Sequence, residues 1–222
     1  MNLNYDKELK SIKERIDVSA PPRLLLHACC APCSTYCLTQ LLAHFDVTLY
    51  YANDNITDQA EWEKRLGEVK RLVEIVNGGQ FVVQPLRPLK LVTQTFDSGR
   101  FFDVARGLES EKEGGARCRE CFVLRLGDAA KFAAENGYDY FGTTLTVSPY
   151  KNSRLLNEIG LTLQTGTVKW LPADFKKRDG YKQSVELSQR YNLYLQHYCG
   201  CCYSLADEAK PLCAQYTNLT KY

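Results

Sequence analysis

The residues best able to do chemistry in this chain are its ten cysteines, and they are not scattered. Residues 27–33 read HACCAPC, residues 117–122 read RCRECF and residues 198–202 read YCGCC, with long cysteine-free stretches between them. The thiols fall as a CC-x2-C group (Cys29, Cys30, Cys33), a C-x2-C group (Cys118, Cys121) and a CxC group (Cys199, Cys201) followed by Cys202. Cys37 and Cys213 stand alone and read as small buried hydrophobes; Cys202 reads as packing. A secreted, disulfide-stapled scaffold would spread its cysteines along a shorter chain, so metal ligation or thiol redox chemistry is the better reading. Cys29 and Cys30 with Cys118 and Cys121 supply four thiolates, enough for one all-cysteine zinc site or one iron–sulfur cluster. An adjacent cysteine pair is an awkward zinc hook, which favours the cluster. Cys199 and Cys201, one residue apart, would close a small strained ring on oxidation, and such a disulfide is easily reduced. That suits a redox-active pair; the alternative is that they complete a metal site.

Such groups need positioning, and the chain alternates strands and helices. A helix is expected over Tyr5–Ile16, then a strand over Arg23–Ala28, with Pro32 opening a helix over Ser34–His44. The run DVTLYY (46–51) is a second strand, Thr57 caps a helix through Val76, and QFVVQPL (80–86) is a third strand. Residues 87–116 read as one or two helices and a loop. Arg117–Asn136 is helical, Tyr138–Leu145 a fourth strand, Lys151–Ile159 helical and Thr167–Pro172 extended. Helices over Tyr181–Leu195 and Ser204–Gln215 complete the chain. This order predicts an α/β fold with a parallel sheet between helices. HACCAPC then lies on the first βα loop, where helix N–H groups favour anions and lower thiol pKa values; CRECF opens a helix in the same way. A glycine-rich phosphate loop would occupy that position in related architectures. Cysteines stand there instead, which points to a metal or cluster. His27 ends the strand and either orients the loop or ligates directly.

The 222 residues can bury one substantial core, and no composition shift marks a boundary. One α/β domain over 1–222 is expected, with 1–20 a helical extension and 196–222 a cysteine-rich segment that completes the site. The N-terminus lacks the apolar core of a secretory signal and no apolar run approaches a membrane span, so a cytoplasmic protein without membrane contact is expected. Net charge is only +2, so any nucleic-acid contact must use a local patch. The run Lys176-Lys177-Arg178 reads as a solvated face unless RNA docks beside the cysteines. His44 and His197 read as surface or packing residues. Tyr191, Tyr194, Tyr198 and Tyr203 read as helix packing, with one ring available to stack on a base.

HACCAPC after the first strand, CRECF, SPYKN (148–152), NEIG (157–160), GYKQSVELS (180–188) and YCGC (198–201) occur here in one order. From about Arg23 to Ala206 the chain thereby resembles the QueH family, the cobalamin-independent epoxyqueuosine reductases. The resemblance implies a three-layer, Rossmann-like parallel sheet of the adenine nucleotide α-hydrolase or PP-loop type. It implies two-electron deoxygenation of the epoxide of epoxyqueuosine at the tRNA wobble position, giving queuosine. The partners would be tRNA carrying epoxyqueuosine and an electron donor that the sequence does not identify. Carried over by motif, Cys29, Cys30, Cys118 and Cys121 would ligate a [4Fe–4S] cluster, and Cys199 and Cys201 would form a redox-active disulfide. The resemblance also admits an additional mononuclear iron, with Cys33 and Cys201 as candidate ligands; Cys33 is a further catalytic candidate. Lys151, Asn152 and Arg154, after the fourth strand, are candidate substrate contacts. Two departures stand out: Asn53-Asp54-Asn55-Ile56 lacks the proline that commonly follows the asparagine in the family, and Cys202 adds a thiol beside YCGC. Two other classes remain: a cysteine-ligated zinc structural module, and a PP-loop-like sulfur-transfer enzyme, which would need an SGGxDS-like loop where HACCAPC stands.

Overall fold

The structure is a computed structural model, and it describes residues 4–205. Five strands pair in parallel: β1 (Arg23–His27), β2 (Asp46–Tyr51), β3 (Lys90–Thr93), β4 (Tyr140–Thr143) and β5 (Lys169–Trp170). Their order in the sheet is β3-β2-β1-β4-β5. The central strand explains the unbroken run Leu24-Leu25-Leu26, because both of its faces are covered. Leu24 and Leu26 enter one core with α2 (Ala31–Leu41) and α3 (Gln59–Asn77), through Leu38, Leu41, Val69 and Leu72. Leu25 enters the opposite core with α5 (Ala116–Glu135) and α6 (Ser153–Leu163), through Leu126, Ala129 and Leu156. The result is the expected three-layer, Rossmann-like α/β architecture. Each of the three leucines is 0% exposed, and that burial stabilises the fold by roughly 2 to 3 kcal/mol apiece.

Outside these layers, α1 (Tyr5–Glu14) inserts Leu9 into the first core, and Asp6 pairs with Arg178 at 2.6 Å. The helix α7 (Gly180–Arg190) rests on α2, with Thr35 donating to the Ser184 carbonyl at 3.4 Å. No side chain fits at Gly180: a Cβ there would stand 1.8 Å from the Phe175 carbonyl oxygen. Among the described residues, no helix is long and apolar enough to cross a membrane.

The chain runs from β1 outward to β2 and β3, then returns across the sheet to β4 and β5. The order reverses between β1 and β4, and the carboxyl ends of those strands open a crevice there, the usual ligand position in open parallel sheets. The loops beyond them carry HACC and the 3-10 turn Thr144–Val147.

Several sequence expectations need correction. The third strand is not Gln80–Leu86 but Lys90–Thr93, beside Thr48–Tyr51. Phe81 packs instead into the core against Tyr191, and Gln84 folds back to donate to the carbonyls of Gly79 and Phe81. The edge strand has only two apolar residues, Leu91 and Val92, so it left little pattern to read. Asp58, not Thr57, caps α3, its Oδ1 accepting from Ala60 N at 2.9 Å. A helix, α4 (Gly99–Ala105), occupies part of the 87–116 stretch, and the fourth strand ends at Thr143. The last expected helix, Ser204–Gln215, lies almost wholly outside the described residues.

A cysteine-lined candidate active site

Cys30 is the N-cap of α2, its sulfur accepting from Cys33 N at 3.4 Å. This turn brings the sulfurs of Cys29, Cys30 and Cys33 within 4.8 Å of one another, with Cys29 and Cys30 at 3.7 Å. Thr144, beyond β4, accepts from Cys29 N at 3.3 Å and approaches its sulfur at 3.5 Å, so the triad is fixed from both sides of the sheet reversal. Gln196 donates to the Cys30 sulfur at 2.8 Å. The hydrogen bonds of Cys30 and Cys33 hold the Cys29 thiol well below its ordinary pKa, helped by Lys151 and Arg125. Cys30 is pushed up to about 12 by burial and by Cys29; Cys33 is pushed well up by its hydrogen bonds with Cys29 and Cys30 and by burial. One thiolate shared among three sulfurs is what mutual repulsion allows. A bound cation would let all three ionise, so the donor set suits a soft metal.

His27 is not a ligand here. Nε2 faces the Ala52 carbonyl at 3.2 Å and must donate to it, which leaves Nδ1 to accept from the Thr143 hydroxyl at 2.9 Å. Burial lowers its pKa to about 3, so the ring is neutral and orients the loop.

Cys118 and Cys121 come from the first turn and a half of α5. With Cys199 and Cys201 they line one cleft, together with Asn55 and Lys151. Gly114 N donates to the Cys118 sulfur at 3.2 Å. The helix start was expected to favour thiolates here, but burial pushes the Cys118 thiol up and takes Cys121 to about 12. Cys201 is likewise raised to about 11, by burial and then by Cys199. Cys199 and Cys201 are both free thiols, whereas Cys202 is disulfide-bonded rather than merely packed. A second cavity of about 260 Å³ adjoins the cleft and carries Cys29, Cys33 and Arg125. Cys199 and Lys151 line both. The sulfurs of Cys199, Cys29 and Cys33 hold the Lys151 ammonium above its ordinary pKa, against burial, which works the other way.

The CxC segment is held from α3 and the turn before it. Arg65 donates to the carbonyls of Cys199 (3.1 Å) and Tyr198 (3.2 Å) while its Nε pairs with Glu61 at 2.7 Å. Thr57 N donates to the Gly200 carbonyl and Thr57 Oγ1 accepts from Cys202 N, both at 3.1 Å. Gly200 has φ +118°, and a Cβ there would stand 2.8 Å from Ile56 Cγ1; only glycine passes this point without strain.

Sequence reading missed the residues that join these parts. Arg125 is 2% exposed; it reaches the Cys121 sulfur at 3.9 Å and donates to Asn53 Oδ1 at 2.5 Å. Asn53 in turn donates to the Ala28 carbonyl at 2.9 Å, just before Cys29. Asn55 donates to the Cys199 carbonyl at 3.4 Å. Five buried side-chain atoms lack a hydrogen-bond partner among the described residues. Four of them (Asn55 Oδ1, Arg117 Nε, Arg125 Nε and Gln196 Oε1) belong to residues lining the cleft or the cavity. Buried polar atoms normally find partners, so their concentration here marks a place built for something else to bind.

The other sequence candidates divide. Asn152 lines the cleft but its Oδ1 caps α6, accepting from Leu155 N at 3.1 Å. Arg154 lies away from both spaces and pairs with Glu158 at 2.7 Å on an exposed face. Of the basic run, Lys176 pairs with Asp174 and Arg178 with Asp6, which leaves Lys177 without an acidic partner among the described residues. NEIG serves the scaffold: Asn157 Oδ1 accepts from Trp170 Nε1 and from Ala173 N.

The family model for epoxyqueuosine reductase QueH matches residues 24–207. An epoxyqueuosine reductase QueH of Staphylococcus aureus is 42% identical over 213 residues, covering 93% of this chain and 85% of that protein. The Streptococcus pyogenes protein of the same name is 40% identical over 204 residues, 91% of this chain and 78% of its own. That of Thermotoga maritima is 30% identical over 189 residues, 83% of this chain and 91% of its own. A match of this extent, over the strands, loops and cysteine groups just described, means that the chain belongs to the QueH family of epoxyqueuosine reductases, and is an oxidoreductase.

Proposed function

We propose that this chain removes the epoxide oxygen of epoxyqueuosine at the wobble position of tRNA, leaving the alkene of queuosine. The observation that carries the reading is the convergence of the three cysteine groups on two adjoining spaces at the sheet reversal. Cys29, Cys30, Cys118 and Cys121 would hold a [4Fe–4S] cluster, and Cys33 with Cys201 would hold any additional mononuclear iron. The soft, thiol-rich donor set and the unpartnered polar atoms around it fit such a group. A bound cluster supplies electrons singly, at a potential set by its surroundings.

The epoxide needs two electrons and two protons to become an alkene and water. Cys199 and Cys201 can supply both: their thiols release two electrons and two protons as the S–S bond forms, and an external donor later reduces the disulfide. Where no iron is held there, burial keeps Cys201 protonated at neutral pH, so it arrives with its proton. Lys151, reaching both spaces, would stabilise developing negative charge on the departing oxygen. Arg125 and Asn53 would keep Cys121 and the Cys29 loop in fixed relation.

The test is to purify the protein without oxygen, record its visible spectrum, count iron, sulfide and zinc, and incubate it with tRNA carrying epoxyqueuosine. Brown protein with iron and sulfide in four-iron proportion, and queuosine among the digested nucleosides, is expected. Colourless protein with stoichiometric zinc would overturn the reading in favour of a structural module.

A further inference from the structure

The four tyrosines that the sequence offered as base-stacking rings are all engaged. Tyr191 stacks on Phe81 with centroids 5.4 Å apart, and Lys64 lies 3.5 Å over Tyr194. Arg65 covers Tyr198 at 5.1 Å, and Arg117 covers Tyr203 at 4.4 Å. Two other tyrosines are the reverse. Tyr150 is 75% exposed and Tyr181 43% exposed, and both line the cavity that carries Cys29, Cys33 and Cys199. Neither ring meets another ring or a cation, and neither hydroxyl has a hydrogen-bond partner, among the described residues. Tyr150 sits on the loop before α6 and Tyr181 in the first turn of α7, so two separate elements bring free rings to one rim. A lysine follows each in sequence, Lys151 and Lys182, the latter mostly exposed.

Large rings left in water at the edge of a reactive cavity mark a contact surface. The cavity, at about 260 Å³, admits a single extruded base and no duplex. A base that must reach buried sulfurs leaves its stack, and its neighbours lose a stacking partner. We propose that Tyr150 and Tyr181 replace that partner, stacking on the unpaired anticodon-loop nucleotides that flank the modified wobble nucleotide. The proposal rests on the tRNA reading above and adds which protein groups receive the flanking bases. Stacking on a ring is tolerant of sequence and needs bases not already covered by one another, so the occupant is single-stranded RNA.

The probes are an anticodon stem-loop RNA with guanosine at the wobble position and an RNA duplex of the same length, bound at equilibrium across a salt series. Tyr150→Ala and Tyr181→Ala should each weaken stem-loop binding roughly tenfold, while Tyr150→Phe and Tyr181→Phe stay within about twofold of wild type. The slope of log affinity against log salt should not move, because no charge is removed. Duplex binding should be unaffected. Val18→Ala, exposed but away from the cavity, is the control and should bind as wild type. Alanine variants that bind the stem-loop normally, phenylalanine variants as weak as alanine, or equal losses on the duplex would each overturn the proposal. Wild-type turnover of epoxyqueuosine tRNA, run alongside, separates the two levels. No turnover removes the substrate reading and the proposal with it; turnover with unimpaired alanine variants removes the rings alone.

Discussion

Two sulfur-bearing walls face each other across this site, and they are built differently. The triad Cys29, Cys30 and Cys33 sits on the loop between the central strand and α2, fixed by backbone at the sheet reversal. Its close sulfurs share one thiolate. The facing wall combines two turns of α5 with a C-terminal segment that has no regular structure of its own until Cys202–Ser204. Arg65, Asn55 and Thr57 hold that segment through its carbonyls and one N–H, and burial raises its Cys201 thiol to about 11. A wall that is rigid and favours charge suits permanent ligation. Protonated thiols on a hydrogen-bonded strap suit repeated oxidation and reduction. On the reading proposed above, the triad loop and the α5 thiols would hold the cluster, and the strap alone would deliver electrons and protons.

The largest expected effects test that division directly. Cys29→Ser and Cys118→Ser should lose both the visible iron–sulfur absorption and turnover, whereas Cys199→Ser or Cys201→Ser should keep the absorption and lose turnover. Absorption and iron content, set beside queuosine yield, read all four. If Cys199→Ser is as colourless as Cys29→Ser, the strap has no task separate from ligation.

A second contrast is chemical. In metal-free, reduced protein, an alkylating agent should modify Cys29 first at neutral pH, because its thiol lies well below the ordinary value and it borders the larger cavity. Cys121 and Cys201, raised to about 12 and about 11, should resist until strongly alkaline solution. Peptide mass spectrometry of a pH series gives the order, and Cys201 reacting together with Cys29 at pH 7 would erase the electrostatic distinction.

How much of this was legible in the sequence follows from how local each feature is. The cysteine groups announce themselves because tight spacing of a rare residue survives without any fold, and the βα loop could be placed because the strand before it is uniformly apolar. Arg125 and Arg65 could not be found in this way. Each lies inside an amphipathic helix and looks like any solvated arginine; only the packing shows them buried, with partners 72 and 134 residues away. Asn53-Asp54-Asn55 forms a short turn after β2, and its amides reach both walls, to Ala28 and to Cys199. The free rings of Tyr150 and Tyr181 were equally hidden, since exposure is decided by what fails to pack on a side chain. The edge strand was misplaced because a pair of apolar residues carries too little pattern.

The strap can also be loosened without touching sulfur. Arg65→Met would strip the Tyr198 carbonyl of its donor, leave the Cys199 carbonyl to Asn55, and leave the largely buried Glu61 carboxylate with Tyr194 as its remaining partner among the described residues. Breaking such a buried pair costs about 3–5 kcal/mol in denaturant unfolding. Gly200→Ala should cost about 1–3 kcal/mol, through its positive φ and the contact with Ile56. Neither change should alter Cys29 alkylation in the folded, metal-free protein, because the triad is positioned from β1 and β4; a shift there would show the walls to be mechanically one.

The smallest effect concerns Asp54, between the two asparagines that serve the two walls. It is buried and pairs with Arg100 at 2.9 Å, while Arg100 also holds Asp128. Burial dominates and raises the Asp54 carboxyl from its ordinary 3.8 to about 6. Across that window the folded state keeps a proton that the unfolded chain has released, so wild-type stability falls as pH rises through it. Asp54→Asn removes the ionisation, and should leave stability unchanged near pH 3.5 but raise it above pH 6. The gain should be on the order of 1 to 2 kcal/mol, since the amide also gives up part of the attraction to Arg100. Unfolding of both proteins from pH 3.5 to 8 reads the difference. A variant less stable than wild type at pH 8 would mean that Arg100 outweighs burial, and that the turn joining the walls is held by charge.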